Sequence, residues 1–157
     1  MGGAEIESIR PLIAILCPAI CSIFILIFRE YPNIRESWTI LASILQFSII
    51  FSLAPDVAKG DIIVCKFFTI MPGLDFAFRI DAFGMIFAIT ASFLWILVSF
   101  YSIGYMRSLE EHAQTRYFFC FCWAIFGAVG VAMAKNLVTL YVFYEILTVS
   151  TYPLVAH

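Results

Sequence analysis

Long apolar runs alternate with short polar segments along this chain, and that pattern predicts membrane-spanning helices. Each run falls within the ~17–25 residues that a helix needs to cross a bilayer. The predicted spans cover about residues 11–28, 38–54, 82–105, 117–134 and 137–156. Pro55 and Asp56 are expected to end the second span. We therefore predict an all-α membrane protein, with about five transmembrane helices in a single membrane domain, residues 1–157.

The helical period is interrupted once, in the loop of residues 55–80. Residues 62–70 are rich in β-branched and aromatic side chains, and residues 74–81 alternate between two faces. Pro72-Gly73 between them supplies the backbone angles of a type II turn. Because an open hairpin cannot lie in lipid with unpaired edges, we predict a small extramembrane β-hairpin between helices 2 and 3.

Charged residues separate the other spans and are expected in water. Arg29, Glu30, Arg35 and Glu36 predict an aqueous turn between the first two spans. Residues 107–116 predict a second solvated loop, in which His112 is either a group on a proton route or a simply solvated side chain. Lys and Arg are nearly balanced between the two sides, so the positive-inside rule does not orient the chain.

The composition agrees with a membrane protein and excludes other classes. Hydrophobic residues make up 63% of the chain and charged residues only 13%, less charge than a soluble surface needs. The net charge of -2 is scattered, so nucleic acid is not an expected partner. Glu5 and Glu7 precede the first span, which is unlike a cleaved signal peptide, and we expect that span to be retained.

The chain has no pattern typical of a catalytic, cofactor or metal site. It has no nucleotide-binding loop and no nucleophile paired with a base. Its cysteines are interpreted as small apolar packing residues, because they have no CxxC pair and no nearby histidine; they are Cys17, Cys21, Cys65, Cys120 and Cys122. Ser92, Trp95, Ser99 and Ser102 recur at helical spacing, which favours a helix-packing face, with a water-lined face as the alternative.

Glu145 is the only acidic residue between Tyr117 and Ala156. Counted from Asn136 at ~1.5 Å per residue, it lies roughly 13 Å into the span, close to mid-membrane. An ionisable side chain at that depth costs ~3 kcal/mol on insertion scales and is a candidate for function. The alternative is a carboxylate that only hydrogen-bonds to a neighbouring helix.

Three hydroxyl-bearing residues share a predicted helix face with Glu145. Tyr141, Thr148 and Tyr152 lie at i-4, i+3 and i+7 from it and form one polar stripe. Pro153 lacks an N–H, so a kink and a bound water one turn from Glu145 are expected. We predict a proton pathway formed by Glu145, Tyr141, Thr148 and Tyr152, with His157 at the chain end as a further candidate on the route.

Three blocks of residues resemble the antiporter-like membrane subunits shared by multisubunit cation/proton antiporters, respiratory complex I and membrane-bound hydrogenases. The blocks are residues 78–83, which read FRIDAF, residues 101–106, which read YSIGYM, and Asn136-Leu137 with Tyr144-Glu145. The segment 144–154 is most similar to the D-type subunits of the multisubunit sodium/proton antiporters.

The resemblance implies a proton-translocating subunit with Glu145 as its membrane-embedded carboxylate. It implies other membrane subunits, the lipid bilayer, protons and either Na⁺ or K⁺ as partners, and no cofactor of the chain's own. Any redox reaction of an NADH-quinone oxidoreductase or hydrogenase-like complex would belong to other subunits. The resemblance also implies the plasma membrane of a prokaryote, with the amino terminus and the hairpin outside.

Family members continue into further helices, including one with a lysine that pairs with the glutamate, and these would lie beyond His157. We therefore expect this sequence to be the amino-terminal part of such a subunit, or a fragment, that transports nothing by itself. The alternative function is a structural membrane subunit needed only for assembly.

Overall fold

The computed structural model describes residues 5–110 and 112–156, and within them it has five helices and three strands. The helices are α1 Arg10–Ile27, α2 Pro32–Ala58, α3 Ala82–Ser108, α4 Gln114–Met133 and α5 Leu137–Val155, and the strands are β1 Glu5–Glu7, β2 Ile62–Met71 and β3 Leu74–Ile80. All five helices are long and apolar enough to cross a membrane. This confirms the predicted class of five membrane helices with a small hairpin between helices 2 and 3.

The second helix is longer at both ends than its apolar run. It begins at Pro32 and continues through Pro55 to Ala58, so the prediction that Pro55 and Asp56 end it is wrong. Pro55 has no N–H, so α2 lacks one intrahelical hydrogen bond at this position. Only about one turn of the helix follows Pro55, and the helix tolerates the loss there. Asp56 can remain in the helix because its carboxylate has a charged partner. Arg10 Nη2 donates to Asp56 Oδ2 at 2.7 Å.

Arg35 and Glu36 do not lie in an aqueous turn, so that prediction is wrong for these two residues, whereas Arg29 and Glu30 are exposed in the turn after α1 as predicted. Arg35 and Glu36 are in the first turns of α2, and their exposed fractions are only 4% and 3%. The reason is that Arg107 at the end of α3 and polar side chains at the start of α4 supply partners for both charges.

The predicted hairpin is present. Strands β2 and β3 pair antiparallel, with Ile63 opposite Ile80, and turn at Pro72-Gly73, where Gly73 has a φ of +86°. The third strand, β1, pairs parallel with β2 through Glu5 opposite Ile62. It was not predicted, because three residues are too few to show an alternating pattern.

The sheet lies against one end of the helical bundle. Ile63, Phe78 and Ile80 are buried in one core with Leu53 and Met133, which we call the sheet-end core. Lys135 N–H at the α4–α5 connection donates to Ala77 O at 3.1 Å. A second core, the far-end core, contains Cys17, Cys21, Trp95, Phe118 and Cys122.

Two glycines on α4 let α5 approach closely. A Cβ on Gly130 would lie 2.1 Å from the ring of Phe143, and a Cβ on Gly127 would lie 2.9 Å from the backbone nitrogen of Leu147. No side chain fits at either position without moving α5. These contacts fix which face of α5 points into the bundle.

Candidate functional site

The buried face of α5 determines where Glu145 lies. Thr139, Phe143 and Ser150 are the buried residues of this helix. At ~3.6 residues per turn, Glu145 falls roughly half a turn from the centre of that face. Glu145 is therefore on the outward side of α5, midway along the helix.

The start of α5 is held by a single side chain. Asn136 Oδ1 accepts from Thr139 N–H at 2.9 Å, which caps the helix, and Asn136 Nδ2 donates to Asp75 O of the hairpin. The cap and the sheet contact together set the position of α5, and so the depth of Glu145, relative to the hairpin.

The structure brings the predicted polar stripe together on the outward face. Tyr141 and Tyr152 are 61% and 76% exposed, and Glu145 and Thr148 are also exposed. Thr148 Oγ1 donates to Tyr144 O of its own helix at 2.9 Å. Four polar residues thus lie on the side of α5 that the other helices leave uncovered.

The carboxylate of Glu145 forms no hydrogen bond or ion pair with any residue in 5–110 or 112–156. A carboxylate that faced lipid at this depth would cost ~3 kcal/mol or more. In a membrane, this face of α5 therefore needs to be covered by protein or by water.

A groove beside Glu145 runs between α4 and α5. It has a volume of about 490 Å³, and the residues that line it are mostly apolar: Phe119, Cys120, Trp123, Glu145, Ile146, Val149, Ser150 and Pro153. The indole Nε1 of Trp123 is buried and has no hydrogen-bond partner in the part of the chain that the structure describes. The groove gives Glu145 a neighbouring space large enough for water or for another side chain.

The remaining predicted site residues are not part of this arrangement. His112 is exposed in the connection between α3 and α4, outside the α5 stripe. His157 lies outside the described residues. Pro153 lies within α5, which continues past it to Val155, and Ala156 N–H donates to Tyr152 O at 3.0 Å.

A cluster of charged side chains at the far end of the bundle, two of them buried, was not anticipated. Arg35 Nη1 donates to Thr115 Oγ1 and its Nη2 to Gln114 Oε1, both at 2.9 Å. Arg107 Nε donates to Glu36 Oε1 at 3.2 Å. We call Arg35, Glu36 and Arg107 the charged cluster.

A signal for this cluster was present in the sequence. Arg35, Thr39, Ser43 and Gln46 recur every three or four residues, so the polar face of α2 continues from the charged segment into the apolar run. That continuity indicates a helix, whereas the charges taken alone suggested a turn.

Metal ligands are not grouped in the structure. Within residues 5–110 and 112–156, no three His, Cys, Asp or Glu side chains are placed to hold a metal ion. The cysteines are free, and four of them are buried: Cys17, Cys21, Cys65 and Cys122.

Comparison with known proteins adds to this geometry. Residues 70–118 match the family model described as NADH-Ubiquinone oxidoreductase (complex I), chain 5 N-terminus. The chain is 30% identical over 149 residues to the Na(+)/H(+) antiporter subunit A1 of Staphylococcus aureus, an alignment that covers 92% of this chain and 18% of that relative. The subunit A1 proteins of the JH9 and Newman strains give the same identity and coverage. The chain thus spans less than a fifth of the length of these relatives.

The comparison corrects one prediction. The relatives are A-type subunits of the antiporter, so the finer prediction of a D-type subunit is not supported. That prediction rested on residues 144–154, a short helical segment around one carboxylate. Such a segment indicates the kind of helix, and it does not distinguish between subunits that contain similar helices.

Proposed function

We propose that the antiporter-like amino-terminal region contained in this chain belongs to a proton-translocating subunit of a multisubunit cation/proton antiporter or a respiratory complex. In this proposal Glu145 is the membrane-embedded carboxylate that takes and releases protons. Tyr141, Thr148 and Tyr152 provide hydroxyl groups beside it, either directly or through water.

The observation that carries the proposal is the outward position of Glu145. A mid-helix carboxylate that has no partner among residues 5–110 and 112–156, on a stripe of hydroxyl-bearing residues, is costly in lipid unless protein or water covers it. The adjoining groove leaves room for water on one side of the carboxylate. Further helices or other subunits would cover the remaining side, which agrees with relatives much longer than this chain.

The test is cation-driven proton movement in vesicles that carry the whole assembly with a full-length subunit. Glu145→Gln keeps the size of the side chain and removes the titratable group, so we expect proton movement to fall at least about tenfold. Glu145→Asp should retain part of the activity because it keeps a carboxylate. Tyr144→Phe, one residue away and off the stripe, is the matched control and should leave proton movement unchanged.

Assembly must be measured in the same preparations. If Glu145→Gln moves protons at the native rate, the proposal is wrong. If blue-native gels show that the variant no longer enters the complex while Tyr144→Phe does, Glu145 serves assembly, and the structural-subunit function replaces the transport function.

A further inference from the structure

A second set of polar side chains lies inside the bundle, away from the outward face of α5. Helices α2 and α3 each turn a polar stripe inward, and every member is at most 4% exposed. The stripes consist of Thr39, Ser43 and Gln46 on α2 and of Ser92, Trp95, Ser99 and Ser102 on α3. We call these residues the interior seam.

Four hydroxyl groups of the seam donate within their own helices, and Ser102 Oγ instead shares a hydrogen bond with Tyr117 Oη of α4 at 3.0 Å. Thr39 Oγ1 donates to Arg35 O at 3.1 Å, Ser43 Oγ to Ile40 O at 2.7 Å, and Ser99 Oγ to Trp95 O at 2.7 Å. Each hydroxyl oxygen can still accept hydrogen bonds. Taken alone, such a stripe is explained by close helix packing.

Two larger side chains in the seam each keep one polar atom without a partner among the described residues, although Gln46 Nε2 donates to Ala14 O of α1 at 3.0 Å. Gln46 is 0% exposed and Trp95 is 1% exposed. Gln46 Oε1 and Trp95 Nε1 are both buried, and neither has a hydrogen-bond partner among residues 5–110 and 112–156. One is an acceptor and the other a donor, and leaving such a group unpaired costs about 1–3 kcal/mol.

The two unpaired atoms belong to residues at the same depth. Helices α2 and α3 run antiparallel, with Phe47 and Phe93 in ring contact at 6.0 Å and Glu36 bonded to Arg107. This register places Gln46 level with Trp95. Ten residues at ~1.5 Å each separate Gln46 from Glu36, so that level lies roughly 15 Å from the charged cluster, near mid-membrane.

The charged end of the seam has a third unpaired atom and an exposed residue. Arg35 Nε is buried and has no hydrogen-bond partner in the described part of the chain. The side chain of Arg107 is 51% exposed, so the charged cluster reaches the surface of the bundle.

We propose that the interior seam binds water and forms a hydrated passage from the charged cluster to the level of Gln46 and Trp95. A water molecule there donates to Gln46 Oε1 and accepts from Trp95 Nε1, which satisfies both atoms. The seam hydroxyls supply further acceptors along the way. This passage is separate from the outward face of α5 and does not rest on the function proposed for Glu145.

Radiolytic labelling of the whole complex in native membranes in H₂¹⁸O tests the proposal. Hydroxyl radicals formed from bound water oxidise adjacent side chains, so Trp95 should incorporate ¹⁸O despite being 1% exposed. Phe78, equally buried at 1% and located in the sheet-end core, is the dry reference. Labelling of Trp95 no faster than that of Phe78, with each rate divided by the intrinsic reactivity of its ring, would overturn the proposal.

A second test compares the labelling of Trp95 itself in the native protein and in two variants of α2. Gln46→Leu removes the unpaired acceptor, so Trp95 labelling should fall at least about threefold, because the bound water loses one of the two to four partners it needs. Ile44→Leu, on the exposed side of α2, should leave Trp95 labelling at the native rate. Equal labelling of Trp95 in the native protein and in correctly assembled Gln46→Leu contradicts the proposal. If Gln46→Leu does not assemble, the native comparison with Phe78 decides. Neither readout involves Glu145 or ion flux.

Discussion

At the scale of single residues, individual close contacts determine how the helices pack. Gly130 shows this most directly, because the ring of Phe143 occupies the space where a Cβ would be. The sequence showed small residues in the fourth span but could not show which of them faces the fifth. Glu145 could be found from the sequence because a lone acid in an apolar run is costly wherever it points. Its outward direction could not, since that depends on the packing of Phe143 and its neighbours.

Gly130→Ala should separate α4 from α5. Overpacking of this kind typically costs about 1–3 kcal/mol, and we expect a lower midpoint in a thermal unfolding scan of the purified assembly. Gly104→Ala on α3 is the matched control, because nothing lies within 4 Å of its Cβ position. Its midpoint should be unchanged or slightly higher. Equal midpoints for Gly130→Ala and the native protein would mean that α5 does not pack on Gly130.

Asp75 gives the hairpin an acid-sensitive contact. Hydrogen bonds from Thr69 and then from Lys66 hold the pKa of Asp75 below its ordinary value of 3.8. A depressed carboxyl pKa stabilises the folded state above 3.8, and that contribution is lost as pH falls through the folded pKa. Pepsin cleavage within β2 and β3 should therefore rise below pH 3.8. In Asp75→Asn this additional rise should be absent, and an identical pH profile would contradict the assignment.

At the scale of helices and strands, the sequence predicted the type of each segment more accurately than its first and last residues. The alternation of residues 74–81 and the Pro72-Gly73 turn were sufficient for the hairpin, because both signals are local. The length of α2 was not predictable in the same way. Its extra turns depend on partners for Asp56 and Glu36 that are distant in sequence, namely Arg10 and Arg107.

Asn136 joins two elements, and its two roles can be separated. Asn136→Ala removes the α5 cap and the bond to Asp75 O, and loss of a cap alone costs about 0.5–2 kcal/mol. Asn136→Asp keeps a capping oxygen and removes only the amide donor. We expect a smaller drop in the thermal midpoint for Asn136→Asp than for Asn136→Ala. Equal drops would show that the cap adds nothing to the sheet contact, and the reverse order would contradict the capping role of Asn136.

At the scale of the whole molecule, the two ends of the bundle are closed differently. The sheet closes one end, where the Arg10–Asp56 pair is partly exposed, with side chains 38% and 26% exposed. The charged cluster closes the other end, and there the side chain of Glu36 is only 4% exposed. The sequence suggested neither difference, since burial of a charge is decided by several helices together.

Removing one carboxylate at each end should therefore have unequal effects. Glu36→Gln leaves Arg35 buried without a carboxylate, and breaking a buried pair in this way costs about 3 kcal/mol. Asp56→Asn breaks a partly exposed pair and should cost less than about 1 kcal/mol. Midpoints of thermal unfolding for the two assembled variants provide the comparison. A larger loss for Asp56→Asn would show that Glu36 is not buried in the assembly.

The pairing of β1 with β2 has a consequence for the sidedness of the chain. Glu5 lies opposite Ile62 in one sheet, with α1 and α2 between them in sequence. An open sheet cannot extend through a bilayer, so β1 and the hairpin must occupy the same aqueous compartment. The two intervening helices must then enter the membrane as a pair before β1 and β2 can meet. During membrane insertion, formation of this small sheet would report that both helices have crossed.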